Sequence, residues 1–227
     1  MTFGRQAGTG CVEWQQKSGV MRKDYNKIAG QSVERLAALS DGVFAVAMTL
    51  LVLDLKGPAS SLVHDEAELG RALLQVAPHL FVYLMSFLLL GIFWVGQQTQ
   101  LNHLARGDRA LAWIHLAFLF FVSLVPFTTG LMADYLHYRL ALLVYWLNIL
   151  ALGSVLYWAL CHSQSAKLVD SEFGEEHSLA IRRRILTAQA LYAVGTALCV
   201  IDTTVSLGFI LLVQLSYALG LGFSRRA

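Results

Sequence analysis

Residues 35–55, RLAALSDGVFAVAMTLLVLDL, are apolar over a length that crosses a bilayer, yet they carry a carboxylate, Asp41, six residues after Arg35. About 20 apolar residues in a helix span the ~30 Å of hydrocarbon in a bilayer. Backbone groups inside that layer must bond to one another, so the segment reads as a helix. A charged side chain at that depth costs several kcal/mol unless it is paired or hydrated, so Asp41 must face protein or water and not lipid. The acid, more than the apolar run around it, dictates that this helix has neighbours.

Those neighbours are visible as further apolar stretches. Segments at about 73–98, 109–131, 138–162, 184–201 and 203–222 are each long enough to be read as spans. With 56% hydrophobic residues, 14% charged and a mean hydropathy of +0.57, the chain falls outside the range of soluble domains. The expected fold class is an all-α integral membrane protein with six transmembrane helices. The last two nearly touch at VIDTTVS and should form a tight hairpin turning at Asp202. Helix-forming residues in HDEAELGRALLQVAPHL suggest that the second helix starts earlier and runs into Pro78. A net charge of +2 gives no basis for a nucleic-acid partner. Cys11, Cys161 and Cys199 are odd in number and lack a CxxC pair, which argues against a zinc site or a disulfide framework.

Residues 1–34 contain no apolar core of signal-peptide length and are expected to be a largely disordered cytoplasmic segment. The six-helix transmembrane domain is then expected over 35–223, with a short cytoplasmic tail at 224–227. If the amino terminus is inside, the cytoplasmic flanks hold Arg22, Lys23, Lys27, Arg35, Arg106, Arg109, Lys167, Arg182, Arg183, Arg184, Arg225 and Arg226. The outer loops then hold only Lys56, Arg71 and Arg139. Positive residues gather on the cytoplasmic side, so both termini are expected inside, in a multi-pass protein of the cell membrane. Asp65, Glu66, Glu68, Asp134 and Asp202 give the expected outer loops an acidic cast that favours cations.

At about 100° per residue, Leu39, Gly42, Val46, Leu50 and Leu53 line one narrow seam of the first helix. Asp41 lies about 140° away from Val46, and Thr49 about 60° to one side. Two arrangements satisfy this pattern. The seam could face lipid while Asp41 lines a polar path, as in a transporter or proton relay. Alternatively, Asp41 ties to neighbouring helices and the seam faces an axis shared with other subunits.

The same residues carry a resemblance. RLAALSDGVFAVAMTLLVLDL resembles the R-x-x-x-F-S-D-G signature that opens the transmembrane protein 175 family of lysosomal and bacterial potassium channels, through Arg35, Ser40, Asp41, Gly42, Phe44 and the run Thr49 to Leu53. A weaker likeness covers residues 93–129, with Trp94, Asp108, Trp113 and LVPF at 124–127. Leu39 replaces the usual Phe, and Gln97 and Gln98 stand where bacterial relatives commonly have His. The resemblance implies a homotetramer in the bilayer that passes potassium, modestly preferred over sodium, with no cofactor and no re-entrant filter loop. It implies a pore lined by the first helix, an aliphatic gate of Val46, Leu50 and Leu53, and a selectivity hydroxyl at Thr49. Ser40 and Asp41 would then hold the helix from behind through groups such as Trp94, His103 or Asn102, with His103 and His115 as candidate partners of Asp41 or Asp108.

Other classes find less support. A secondary transporter, or a proton-coupled carrier using Asp41, would favour broken helices and an internal repeat, and no repeat is visible. No G-x-S-x-G or H-E-x-x-H occurs, so an intramembrane enzyme is not expected. DTTVSLGF at 202–209 is the nearest stretch to a potassium filter and lacks T-V-G-Y-G.

Overall fold

The computed structural model describes residues 32–53, 55, 57, 64–170 and 175–220. The expected disordered segment lies outside these residues up to Gln31, and so does the tail from Leu221. The helices are α1 (Val33–Leu53), α2 (Glu66–Leu101), α3 (Arg109–Ser123), α4 (Val125–Asp134), α5 (Arg139–Ser165), α6 (Glu175–Ala197) and α7 (Thr203–Ala218). Four units are long and apolar enough to cross a membrane: α1, α2, α3 with α4 taken together, and α5. The remaining two, α6 and the shorter apolar α7, pack on each other as the expected hairpin, joined by one 3₁₀ turn at Leu198–Val200.

Helix boundaries follow local chemistry more than hydropathy. The Asp65 side chain caps α2 by accepting from the Glu68 N–H at 2.7 Å, so the helix starts seven residues before its apolar window and passes through Pro78. Asp65, Glu66 and Glu68, expected in an outer loop, therefore form the cap and first turn of α2, where acids suit the helix dipole. The expected third span breaks at Leu124, and Pro126 opens α4, a position where its missing N–H costs no helical bond. The largest departure is α6: it begins at Glu175, so Arg182, Arg183 and Arg184 lie within a helix and not in the loop before it. Asp202 caps α7 through bonds from Thr204 and Val205, which makes DTTVSLGF the start of a helix.

The core runs the length of the bundle. Phe44 of α1, Phe93 of α2 and Phe118 of α3 meet with ring centroids 6.1 and 6.2 Å apart, while Leu89, Val122, Leu142, Tyr145 and Ile149 continue the packing. A buried hydroxyl chain crosses it: Thr129 donates to Ser86 at 2.8 Å, and Ser86 meets Tyr145 at 3.1 Å. At the basic end, the α2–α3 loop and the strand-like residues after α5 form an isolated antiparallel bridge, Leu104 with Val169. Ala105 N–H donates to the Leu168 carbonyl and Asp170 N–H to the His103 carbonyl.

Candidate pore helix and its anchor

Helix α1 packs against α2, α3 and α4. Ser32 starts it, its hydroxyl accepting from the Arg35 N–H at 3.2 Å, as an N-cap does. The stripe turned into the bundle is Ser40, Phe44, Ala47 and Leu51, spaced as one helix face. Within it, Ser40 is fully buried and donates to the Leu36 carbonyl at 2.8 Å, while its oxygen accepts from the Gln97 amide at 2.9 Å. One residue on, a single Asp41 oxygen, Oδ1, accepts from both Trp94 Nε1 at 2.8 Å and Gln98 Nε2 at 2.6 Å. Three interhelical bonds thus fix α1 against one patch of α2, just below the Phe44–Phe93–Phe118 cluster.

The seam faces away from all of this. Val46 is 57% exposed, Leu50 42% and Leu53 71%, and Leu39 and Gly42 are exposed beside them. These side chains take no part in the chain's buried core. Thr49 is also exposed and turns its hydroxyl back on the helix, onto the Ala45 and Val46 carbonyls at 3.0 and 2.8 Å. A hydroxyl that spends its proton on the backbone presents only oxygen lone pairs outward. No Cβ clash accounts for Gly42, whose surroundings are open.

The sequence reading named some of the anchor and missed the rest. Trp94 is a partner of Asp41, as expected, whereas Asn102 is the C-cap of α2 and His103 sits beyond it with Nδ1 on the Thr99 carbonyl. Gln97 and Gln98, noted as departures from histidine, supply two of the three bonds. Trp94, Gln97 and Gln98 are spaced i, i+3 and i+4, the signal that would have placed them on one face. Asp108 is structural: it caps α3 through the Leu111 N–H at 2.7 Å and receives His162 Nε2 of α5 at 2.9 Å. His162 was not singled out from sequence. His115 is buried with Nδ1 on the Leu111 carbonyl one turn back, and the guanidinium-bearing Arg35 is exposed at the start of α1. Among the described residues no three His, Cys, Asp or Glu side chains cluster to hold a metal ion.

Known proteins resemble this chain in sequence and fold. Residues 35–126, from the first turn of α1 into the first turn of α4, match the family described as "Endosomal/lysosomal potassium channel TMEM175". A potassium channel of Streptomyces collinus is 33% identical over 180 residues, covering 76% of this chain and 85% of that one. A potassium channel of Chamaesiphon minutus is 33% identical over 189 residues, covering 82% and 93%. The rat endosomal/lysosomal proton channel TMEM175 is 25% identical over 92% of this chain, which corresponds to 40% of that longer protein. The crystal structure of a lysosomal potassium-selective channel TMEM175 homologue from Chamaesiphon minutus superposes with a TM-score of 0.73 at 31% identity, covering 84% of this chain and 98% of that one. These relatives are ion channels and not enzymes. Sequence and fold agree over most of the length on both sides, and the chain belongs to the endosomal/lysosomal potassium channel TMEM175 family.

Proposed function

We propose that the chain is one subunit of a homotetrameric cation channel that passes potassium in modest preference to sodium, with α1 of each subunit lining the path. The observation that carries this reading is the division of α1 into two faces: a polar patch bound to α2, and a branched aliphatic seam that its own subunit leaves uncovered. Four such seams around an axis give rings of Val46, Leu50 and Leu53. Rings of that kind offer a hydrated cation no ligands, so they dewet and close when narrow. Widening them by a small outward shift of α1 admits water and ions. Thr49, one turn from Leu53, presents hydroxyl oxygen beside the seam, and selection rests on the lower cost of partly dehydrating the larger ion there.

The anchor supports a structural role for Asp41 over a transport one. Its Oδ1 is committed to two donors of α2, so the carboxylate keeps α1 in rotational register and the seam on the axis. In this reading α6 and α7 supply the fifth and sixth crossings of a six-helix domain over 35–223. α7, with 16 residues, is short for the hydrocarbon layer, while α6, with 23, has the length but is polar over its first turn, and α2 and α5 pack against them. Both termini lie in the cytoplasm, since Arg106, Arg109, Lys167 and Arg182 to Arg184 collect at one end of the bundle, and the membrane is the cell membrane.

The test is flux through the purified protein in liposomes. Rubidium should move down its gradient without saturating as a carrier does and without a co-ion, and mixed potassium and sodium should give a reversal potential displaced toward potassium. Leu50→Ala and Leu53→Ala should each raise resting flux with the tetramer intact, whereas Asp41→Ala should lower assembly. Unchanged flux in both leucine variants removes the gate assignment, and saturating flux coupled to protons through Asp41 replaces the channel with a carrier.

A further inference from the structure

Away from α1, a crevice of about 80 Å³ opens between α2, α5, α6 and α7 at the basic end of the bundle. Its depth is apolar, with Phe93 and Gly96 from α2, Leu156 from α5, and Ile185 and Ala188 from α6. At its mouth stand Arg184 and Gln100. Arg184 is exposed and held over the Tyr217 ring, 5.6 Å from its centroid, and the Tyr217 hydroxyl donates to the Arg184 carbonyl at 3.4 Å. Arg182 rests over Tyr157 in the same way at 5.4 Å, and Arg183 is exposed between them. None of the three forms an ion pair with a described residue. Gln100 is 8% exposed, yet its amide nitrogen has no hydrogen-bond partner among the described residues.

The crevice thus combines arginines without an ion pair among the described residues, a buried N–H donor without a described partner and an apolar slot. A buried donor left unpaired costs free energy, and arginines at a membrane interface attract anionic headgroups. We propose that the crevice is a binding site for an anionic glycerophospholipid of the adjoining leaflet. The headgroup phosphate meets Arg184 and Arg183, a glycerol ester carbonyl accepts from the Gln100 amide, and the start of one acyl chain lies between Phe93, Leu156 and Ala188. Arg–phosphate geometry suits a phosphodiester, and the ester carbonyl sits at the boundary where Gln100, one residue before the end of α2, is found. The occupant bridges α2 and α6, so it ties the α6–α7 hairpin to the helix that anchors α1. The site is independent of the seam, and its test does not depend on ion flux.

The purified full-length protein in detergent, examined by native mass spectrometry, tests the site. Phosphatidylglycerol, phosphatidylcholine with the same acyl chains, and glycerol 1-phosphate are the probes. One phosphatidylglycerol per subunit should be retained, at least ~10-fold more tightly than phosphatidylcholine, and glycerol 1-phosphate should fail to displace it. Arg184→Gln should abolish the preference between the two lipids. Gly96→Leu and Ala188→Leu fill the slot from opposite sides and should each remove the bound lipid while leaving the arginines in place. A Cβ at Gly96 meets Leu156 only at an ordinary 3.7 Å, so the smaller Gly96→Ala keeps the helix packing and should still weaken lipid retention where a leucine variant fails to fold. Phosphatidylglycerol retained by folded Gly96→Leu at the native level, displacement by glycerol 1-phosphate, or an unchanged preference in Arg184→Gln overturns the proposal.

Discussion

Ser40 and Gln97 form a buried pair in which the two partners do not depend on each other equally. Both are fully buried, and Gln97 Nε2 donates to Ser40 Oγ at 2.9 Å. Ser40 has a second bond, its own proton going to the Leu36 carbonyl at 2.8 Å, so it stays satisfied without Gln97. Gln97 has no such reserve, because its Oε1 already lacks a partner among the described residues. Ser40→Ala therefore strands a complete amide in the core. Interhelical hydrogen bonds in membranes average about 0.6 and reach about 1.7 kcal/mol, and stranding a buried group adds to that, so a loss of about 1–2 kcal/mol is expected. For a chain of this size the corresponding fall in Tm is roughly 2–8 °C. Gln97→Leu removes the same bond together with the orphaned carbonyl at similar volume, and should move Tm by less than about 2 °C. The double variant should return most of the loss, because the stranded amide is gone. Thermal unfolding of the purified protein in one detergent, followed by far-ultraviolet circular dichroism, measures all three. A Gln97→Leu loss equal to or larger than that of Ser40→Ala, or strictly additive effects in the double variant, refutes the asymmetry.

Gly153 of α5 faces Gln189 of α6 so closely that an added Cβ would lie 1.7 Å from the amide nitrogen, which donates to the Ile149 carbonyl at 3.3 Å. Gly153→Ala should destabilise the protein by about 1–3 kcal/mol as an overpacked contact, and the same change made with Gln189→Ala should cost markedly less in the same unfolding assay. Asp202 caps α7, and the N–H groups of Val205 and Thr204 hold its carboxyl below the ordinary range near 3.8. A lowered folded value means a contribution that is complete above the unfolded value and fades as pH falls through the folded one. Asp202→Ala should thus unfold at lower temperature than the native chain at pH 7, with the gap closing as the medium is acidified below about pH 4. A gap that widens in acid contradicts the cap.

What could be read in advance, and what could not, separates by the range of the interaction involved. The faces of α1 follow from helical period alone: Val46, Leu50 and Leu53 share a line, Asp41 lies well off it, and the structure leaves the first set exposed and ties the second to α2. Helix ends were harder, because hydropathy marks only the part of a helix that sits in hydrocarbon. The Glu175 to Arg184 stretch of α6 is polar, helical and invisible to an apolar window, whereas the early start of α2 was legible in its helix-forming residues and only its Asp65 cap was not. Pairings such as Asp108 with His162, or Gly153 with Gln189, join residues on separate helices, and no period connects them. The anchor of α1 is intermediate, and its case is instructive. One side is a serine and an acid in adjacent positions of an apolar span. The other is Trp94, Gln97 and Gln98, three donors at i, i+3 and i+4 near the end of the next span. Each half breaks an apolar pattern, and the bonds between them offset part of the cost. An unpaired acid in one membrane helix therefore directs attention to a donor face of matching pitch in the neighbour, and here that face was readable before any coordinate.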